Sequence, residues 1–220
     1  MKTLGFIGTG GMGSGMAANL IKGGYSLVVN DLRREQAKAL ESQGAKFADS
    51  PKAVAESCEL VLSMLPTNEA VKAVALGKGG LAEASGGAKV WIDFSSIDKT
   101  TIVGASNELA KKGWTVVDAS AGGVEEVAAA GQLALWLSGP KALFDEHQPI
   151  FKCMGKSILH VGELGNAKLV KNAMAMLAAV QHMSYAEVCG WLRKGGVDAA
   201  TFQTIVKNSQ QDCEIGRAHV

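Results

Sequence analysis

The first thirty-one residues constrain the fold more tightly than any other stretch. Thr3–Gly8 reads TLGFIG, a short apolar run, and the hexapeptide Gly8-Thr9-Gly10-Gly11-Met12-Gly13 closes it. G-x-G-x-x-G alone says little in a chain with 27 glycines among 220 residues. Its surroundings say more. An expected helix over Met12–Lys22 stops at Gly23-Gly24, and a second apolar run, Leu27–Asn30, ends at Asp31. Strand, glycine turn, helix and strand in this order make a βαβ unit built to approach a pyrophosphate. Gly8 permits the tight turn, Gly10 lets the backbone come close to phosphate, and Gly13 lets helix and strand touch. Free N–H groups at the helix start then face the anion. The plain alternative is a glycine turn with a surface aspartate.

Asp31 follows Gly13 by eighteen residues and suits ribose hydroxyls, while its charge repels a 2′-phosphate. NAD is therefore the expected cofactor and NADP the less expected one. Arg33 and Arg34 pull the other way, because either could reach a phosphate.

The alternation continues. Leu60–Met64, Lys89–Asp93, Thr115–Asp118, Leu133–Leu137 and Ser157–His160 read as strands. Arg33–Ser42 and Thr100–Lys112 read as helices, each stopped by a glycine. Short apolar runs without strict alternation indicate strands buried on both faces. The expected class is α/β, a Rossmann-type doubly wound, mostly parallel sheet. Leu164–Lys194 reads as one long helix with apolar residues on most faces, which predicts burial. Asp198 caps a further helix, Ala199–Val206. The expected division is a dinucleotide-binding domain at 1–162, an interdomain helix at 163–195 and the start of an all-α domain at 196–220.

Bulk properties exclude several classes. A net charge of +1 advertises neither nucleic acid nor an anionic membrane as a partner. Cys58, Cys153, Cys189 and Cys213 are scattered without a C-x-x-C pair, so no metal site is expected and a reducing cytoplasm is. Glycines interrupt the apolar start too early for a signal peptide. No window reaches the roughly 18 apolar residues of a membrane span.

The stretch GFIGTGGMGSGMAANLIKGG resembles the N-terminal signature of the β-hydroxyacid dehydrogenases, with Met12, Met16, Asn19 and Leu20 matching beyond the glycines. The similarity runs from residue 3 to about residue 210. It implies nicotinamide-dependent interconversion of a short β-hydroxy acid and its semialdehyde, and a homo-oligomer. A further all-helical domain is also implied, of which only the start is expected here, and the closing Ile215–Val220, IGRAHV, reads as a non-native tail on a truncated frame. Without that domain the long helix would expose apolar surface. The competing class is a dinucleotide-binding protein without catalysis, or a relative with a divergent substrate.

The resemblance also assigns residues. Leu65 and Pro66, in SMLPTNEAV, would shape the cofactor groove together with Gly8, Gly10, Gly11, Met12, Gly13 and Asp31. Ser96, in IDFSSID, stands where a hydroxyl approaches the nicotinamide; alternatively Ser95 and Ser96 only cap the next helix. DASAGGVEEVAAAG, Asp118–Gly131, matches the family's substrate-acid loop, with Ser120 in place of a proline and Gly122 in place of a serine. Ser120, Gly122 and Gly123 are thus substrate candidates, through backbone N–H groups where a hydroxyl is missing.

GELGNAKLVKN, Gly162–Asn172, carries the remaining piece. Gly162, Gly165 and the later Ala186-Glu187 set a family register that puts the catalytic lysine at Lys171. Hydride transfer to a carbonyl builds negative charge on oxygen, which an ammonium stabilises and protonates. The family's asparagine falls at Ala175. Lys168 and Asn172 share a helix face at i and i+4, so two readings stand: Lys171 acts without an amide partner, or Lys168 and Asn172 replace the pair one turn earlier.

Overall fold

The computed structural model describes residues 2–209. The chain divides into two compact units between Lys171 and Asn172. In the first unit the elements are β1 (Thr3–Ile7), α1 (Gly11–Lys22), β2 (Ser26–Asn30), α2 (Lys38–Glu41), β3 (Lys46–Phe47), α3 (Pro51–Glu56), β4 (Leu60–Ser63), α4 (Asn68–Leu76), β5 (Val90–Asp93), α5 (Lys99–Ala110), β6 (Thr115–Gly122), α6 (Glu125–Ala129), β7 (Leu133–Ser138), α7 (Lys141–Glu146), α8 (Gln148–Met154) and β8 (Gly155–His160). A long helix, α9 (Asn166–Lys194), begins in this unit and ends in the next, which also holds α10 (Ala199–Lys207).

The eight strands form one sheet in the order β3-β2-β1-β4-β5-β6-β7-β8. All pairings are parallel except β6 with β7. The order reverses between β1 and β4, the position where doubly wound sheets open a crevice at their carboxyl ends. Apolar cores cover both faces. On one, Leu4, Phe6, Met16 and Leu20 join Val117, Ala119 and Ala121 of β6. On the other, Val61, Trp91, Ile102 and Leu109 join Val116. Asp118, Ser120 and Gly122 alternate with the first set and so face the second side.

Several elements differ from expectation for local reasons. The Arg33–Ser42 helix is a 3₁₀ turn, Arg34–Ala37, running into α2. Asp31 Oδ1 accepts from the Arg33 backbone N–H at 2.9 Å and holds Arg33 extended, delaying the helix start. β6 does not stop at Asp118: antiparallel pairing carries it from Asp118↔Ser138 to Gly122↔Ala134. The expected loop residues Ser120 and Gly122 are therefore strand residues. The helices α3 and α4, unforeseen, both have N-caps, with Ser50 accepting from Ala53 N–H and Thr67 from Ala70 N–H, each at 3.1 Å.

In the second unit, Gly196 at φ +86° turns the chain after α9. Asp198 caps α10 by accepting from Thr201 N–H at 2.9 Å, and Tyr185 meets Phe202 at 5.5 Å between ring centroids. The apolar composition of α9 predicted burial. Instead Met176, Met183 and Trp191 are each at least 70% exposed. Such composition buries a helix only where other elements cover it, and among the described residues of this unit α10 is the sole other helix. Ile215–Val220 lie outside the described residues.

The signature residue Asn19 has a structural task. Its amide donates to the carbonyls of Gly15 at 3.0 Å, Ala128 at 2.8 Å and Ala129 at 3.1 Å, tying α1 to the last turn of α6. Asn19→Ala removes these three bonds and unties α1 from α6, and the expected loss is about 1–3 kcal/mol. Urea unfolding should show a lower midpoint at unchanged m-value, and an unmoved midpoint would refute the assignment.

Candidate active site

The glycine turn lies at the carboxyl end of β1. Gly8 has φ +89°, and a side chain there would strike the Met64 carbonyl; one at Gly13 would strike the Gly8 carbonyl. Above Gly10 the space is open, with nothing within 4 Å of where a Cβ would stand. Gly10 is the N-cap of α1, and no side chain caps the helix and no acidic residue occupies its first turn. Bare N–H groups with room above them fit a pyrophosphate. Met12 instead turns inward and packs against the core. One group opposes an anion: the exposed Glu125 carboxylate, at the start of α6, lies against Gly11.

Asp31 follows β2 directly, beside this turn. Its Oδ2 accepts from Thr9 N–H at 2.8 Å, so the carboxylate is fixed at the lip of the crevice. Arg34 lies over the Phe47 ring at 4.8 Å and pairs with Glu41 at 3.3 Å. Arg33 is exposed.

At the ends of β4 and β5, Leu65 N–H donates to Ser95 Oγ at 2.9 Å, and Ser95 Oγ donates to Asp93 Oδ1 at 2.6 Å. Leu65 is half-buried, and Pro66 is exposed. Helix α5 is capped by Asp98, which accepts from Thr101 N–H, and hydrogen bonds from Thr100 and Thr101 bring its carboxyl down to about 2. The serines therefore do not serve as caps. Ser95 is buried in the Asp93 network, and Ser96 is exposed on the loop.

The two lysines have different surroundings. The Lys168 side chain is fully buried, and its ammonium donates to Asp93 O at 3.0 Å, Asp93 Oδ2 at 3.1 Å and Ala119 O at 2.6 Å. Asp118 Oδ1 stands 3.0 Å away as an ion-pair partner outside hydrogen-bond geometry. An ammonium has three hydrogens, and protein oxygens take them all. Lys171, one turn later, is half-buried and donates to Ala121 O at 2.9 Å. Burial lowers its pKa below the ordinary lysine value of 10.5. Asn172 is exposed. Both glycines that precede the helix need their left-handed backbone: Gly162 has φ +97° and Gly165 has φ +90°, and a Cβ on Gly165 would come within 2.6 Å of Lys99 Cγ.

The end of β6 completes the cluster beside Lys171. Ser120 Oγ is buried and has no hydrogen-bond partner among the described residues. Trp136, opposite Ser120 in the sheet, lays its ring over Gly122: a Cβ there would meet Cη2 at 2.8 Å. Gly123, at φ +139°, turns the chain toward α6.

Sequence reasoning passed over Asp93, Asp118, Trp136 and Glu125. Signals for the first two exist in VWID and TVVD, where an acid ends a run buried on both faces. Trp136 and Glu125 matter only through contacts that a linear reading does not contain. Removing the Glu125 charge from the start of α1 should tighten NADH binding about 2–5-fold in Glu125→Gln, measured by fluorescence titration. Unchanged or weaker binding would show that the carboxylate does not oppose the cofactor.

Known proteins share this fold. Residues 3–162 match the family described as the NAD binding domain of 6-phosphogluconate dehydrogenase. The chain is 35% identical over 209 residues to 3-hydroxyisobutyrate dehydrogenase of Pseudomonas aeruginosa, covering 95% of this chain and 70% of that protein. It is 32% identical over 206 residues to 2-(hydroxymethyl)glutarate dehydrogenase of Eubacterium barkeri, covering 94% of this chain and 68% of that one. The structure of Mycobacterium tuberculosis 3-hydroxyisobutyrate dehydrogenase with L-serine superposes with a TM-score of 0.88 at 29% identity, over 100% of this chain and 74% of that one. By family model, by sequence identity and by fold, the chain belongs to the β-hydroxyacid dehydrogenase family of nicotinamide-dependent oxidoreductases.

Proposed function

We propose that the protein interconverts a short β-hydroxy acid and its semialdehyde with Lys171 as acid and base. One observation supports this above the others: Lys171 is a half-buried ammonium resting on Ala121 O, next to Gly122 at the carboxyl end of β6. That end of the parallel strands also carries Gly8–Gly13, Leu65 and Ser96. A bound reduced nicotinamide supplies the hydride. Lys171 then stabilises the charge growing on the carbonyl oxygen and gives it a proton; in oxidation the neutral amine removes the hydroxyl proton.

Gly8, Gly10, Gly11 and Gly13 would hold the pyrophosphate through backbone, Leu65 and Pro66 the groove wall, and Ser96 the nicotinamide end. The turn at Gly122–Gly123 would receive the substrate's acid, with the unpartnered Ser120 hydroxyl beneath it. The candidate Lys168 is enclosed by protein acceptors, and Asn172 adjoins Lys171 in sequence. A catalytic role without an amide at Ala175 therefore falls on Lys171 alone. Functionally, the chain would divide into a cofactor domain at 1–162, a connecting helix at 163–195 and helical sequence at 196–220.

The cofactor would be NAD, because Asp31 is anchored by Thr9 N–H where a 2′-phosphate would lie, and Arg34 is occupied by Glu41 and Phe47. No helix among the described residues is long and apolar enough to cross a membrane. We place the protein in the cytoplasm as a homo-oligomer acting on small hydroxy acids, with neither nucleic acid nor membrane as partner. The non-catalytic alternative has one specific support: Gly122 offers no hydroxyl, and Trp136 fills the space where one would stand.

NADH should bind at least about tenfold more tightly than NADPH, with Asp31→Ser narrowing the gap; equal affinities would remove the Asp31 argument. With NADH and a panel of C3–C5 semialdehydes, Lys171→Met should lower turnover about 10²–10⁴-fold while NADH affinity stays within about twofold. Since the lowered pKa of Lys171 governs both directions, reduction needs the protonated form and should fall as pH rises through it. Oxidation needs the amine and should rise over the same interval, below pH 10.5. A Lys171→Met protein with undiminished turnover ends the proposal; tight NADH binding with no substrate reduced favours the binding-only reading.

A further inference from the structure

The buried lysine that the reaction leaves unused sits one helical turn before the one it uses. Along α9, residues at i and i+3 share a face; along a strand, alternate carbonyls point the same way. Both periodicities meet here. Lys168 donates to Ala119 O at 2.6 Å, and Lys171 donates to Ala121 O at 2.9 Å. The pairing of β5 with β6 ends at Asp93↔Asp118, so β6 continues past its neighbour, and the two ammonium groups rest on carbonyls of that projecting segment.

Lys168 is held from several directions. Besides Ala119 O it donates to the backbone and the carboxylate of Asp93, and its ion-pair partner Asp118 lies at 3.0 Å. Asp118 Oδ2 accepts from the Lys168 backbone N–H at 3.4 Å and from Ser138 Oγ at 2.8 Å. Ser138 Oγ in turn accepts from Ala167 N–H at 3.1 Å. The first-turn N–H groups of α9 are thus capped from β6 and β7, while the side chain of the same turn reaches β5. Asp93 Oδ1 gathers Ser63 and Ser95, and Ser95 receives Leu65 N–H from the groove wall.

We propose that Lys168 is a positioning residue for Lys171: it locks the first turn of α9 to β5 and β6, so that the next lysine lands on the Ala121 carbonyl, and it touches no substrate. The proposal rests on the catalytic reading of Lys171, but its first test does not require turnover. Lys168→Met leaves two buried carboxylates facing a thioether, so Lys168→Met/Asp118→Asn, which removes one charge of each sign, is made beside it.

The first measurement is acetylation of Lys171 by acetic anhydride at pH 8, followed by mass spectrometry and normalised to the exposed Lys112. In either folded variant Lys171 should react at least about threefold faster than in the wild type, because it has left its carbonyl. In whichever variant turns over, kcat should fall at least about tenfold with KM within about twofold, the pattern of a group that places the reacting lysine. Unchanged Lys171 labelling in a folded variant overturns the proposal. So does a tenfold rise in KM at constant kcat, which would make Lys168 a substrate ligand. Should neither variant fold, the wild type decides: Lys168 must remain unlabelled while Lys171 reacts, and comparable labelling of both overturns the proposal. A wild-type protein that reduces no semialdehyde leaves the labelling result intact and counts against the catalytic reading alone.

Discussion

A lysine sealed from water organises the middle of this protein. Two carboxylates, Asp93 and Asp118, end up inside the sheet with no exposure, and Lys168 supplies the opposite charge between them. Removing one member of such a cluster typically costs about 3–5 kcal/mol, because the remaining charge cannot reach solvent. An apolar replacement of all members can be as stable, so stability alone does not account for it. What the ions add is register. Hydrogen bonds from Ser63, Ser95 and Ser138 fix each carboxylate, and the carboxylates fix where α9 begins. Apolar packing, being non-directional, would let that helix slide or rotate by a fraction of a turn.

The cofactor side depends on a different economy, the removal of side chains. A methyl group at Gly8 would meet the Met64 carbonyl beyond β4, and one at Gly13 would meet the Gly8 carbonyl, so the turn lies close to both neighbours only with glycines at these positions. Gly10 differs: its missing side chain leaves space rather than contact. Gly15 makes a third use of the same economy, admitting the backbone of Ala128 and Ala129 from α6, which Asn19 then binds. One helix thereby joins the turn to the segment carrying Gly122 and Glu125.

Much of this was legible in the linear chain where the signal is local. The strand, turn and helix around Gly8–Gly13 are set by neighbours in sequence, as is the Asp198 cap of α10. Two elements were misread, one through a distant partner and one through a near one. β6 is longer than its apolar run because β7 pairs with it, and the Arg33–Ser42 segment is wound differently because Asp31 takes its first N–H. Spacing favoured Lys171 over Lys168 through the family register but held nothing about the surroundings of either. Only the carboxylates and carbonyls brought to them by β5 and β6 separate a sealed ammonium from a half-open one. Likewise, the exposure of α9 beyond Asn172 departs from the burial its composition suits and follows the expectation for an uncovered helix, because composition records what a helix is suited to touch and not what lies beside it.

The indole of Trp136 lying on Gly122 couples two positions that are fourteen residues apart in sequence and opposite strands in space. Volume there is conserved as a sum: a larger residue on β6 requires a smaller one on β7. A side chain added at Gly122 alone meets the ring, so relatives with a side chain at the first position are expected to have lost the bulky ring at the second. The two positions would then vary as a linked pair, and exchanging them together between homologues is the smallest unit by which pocket shape can be transplanted.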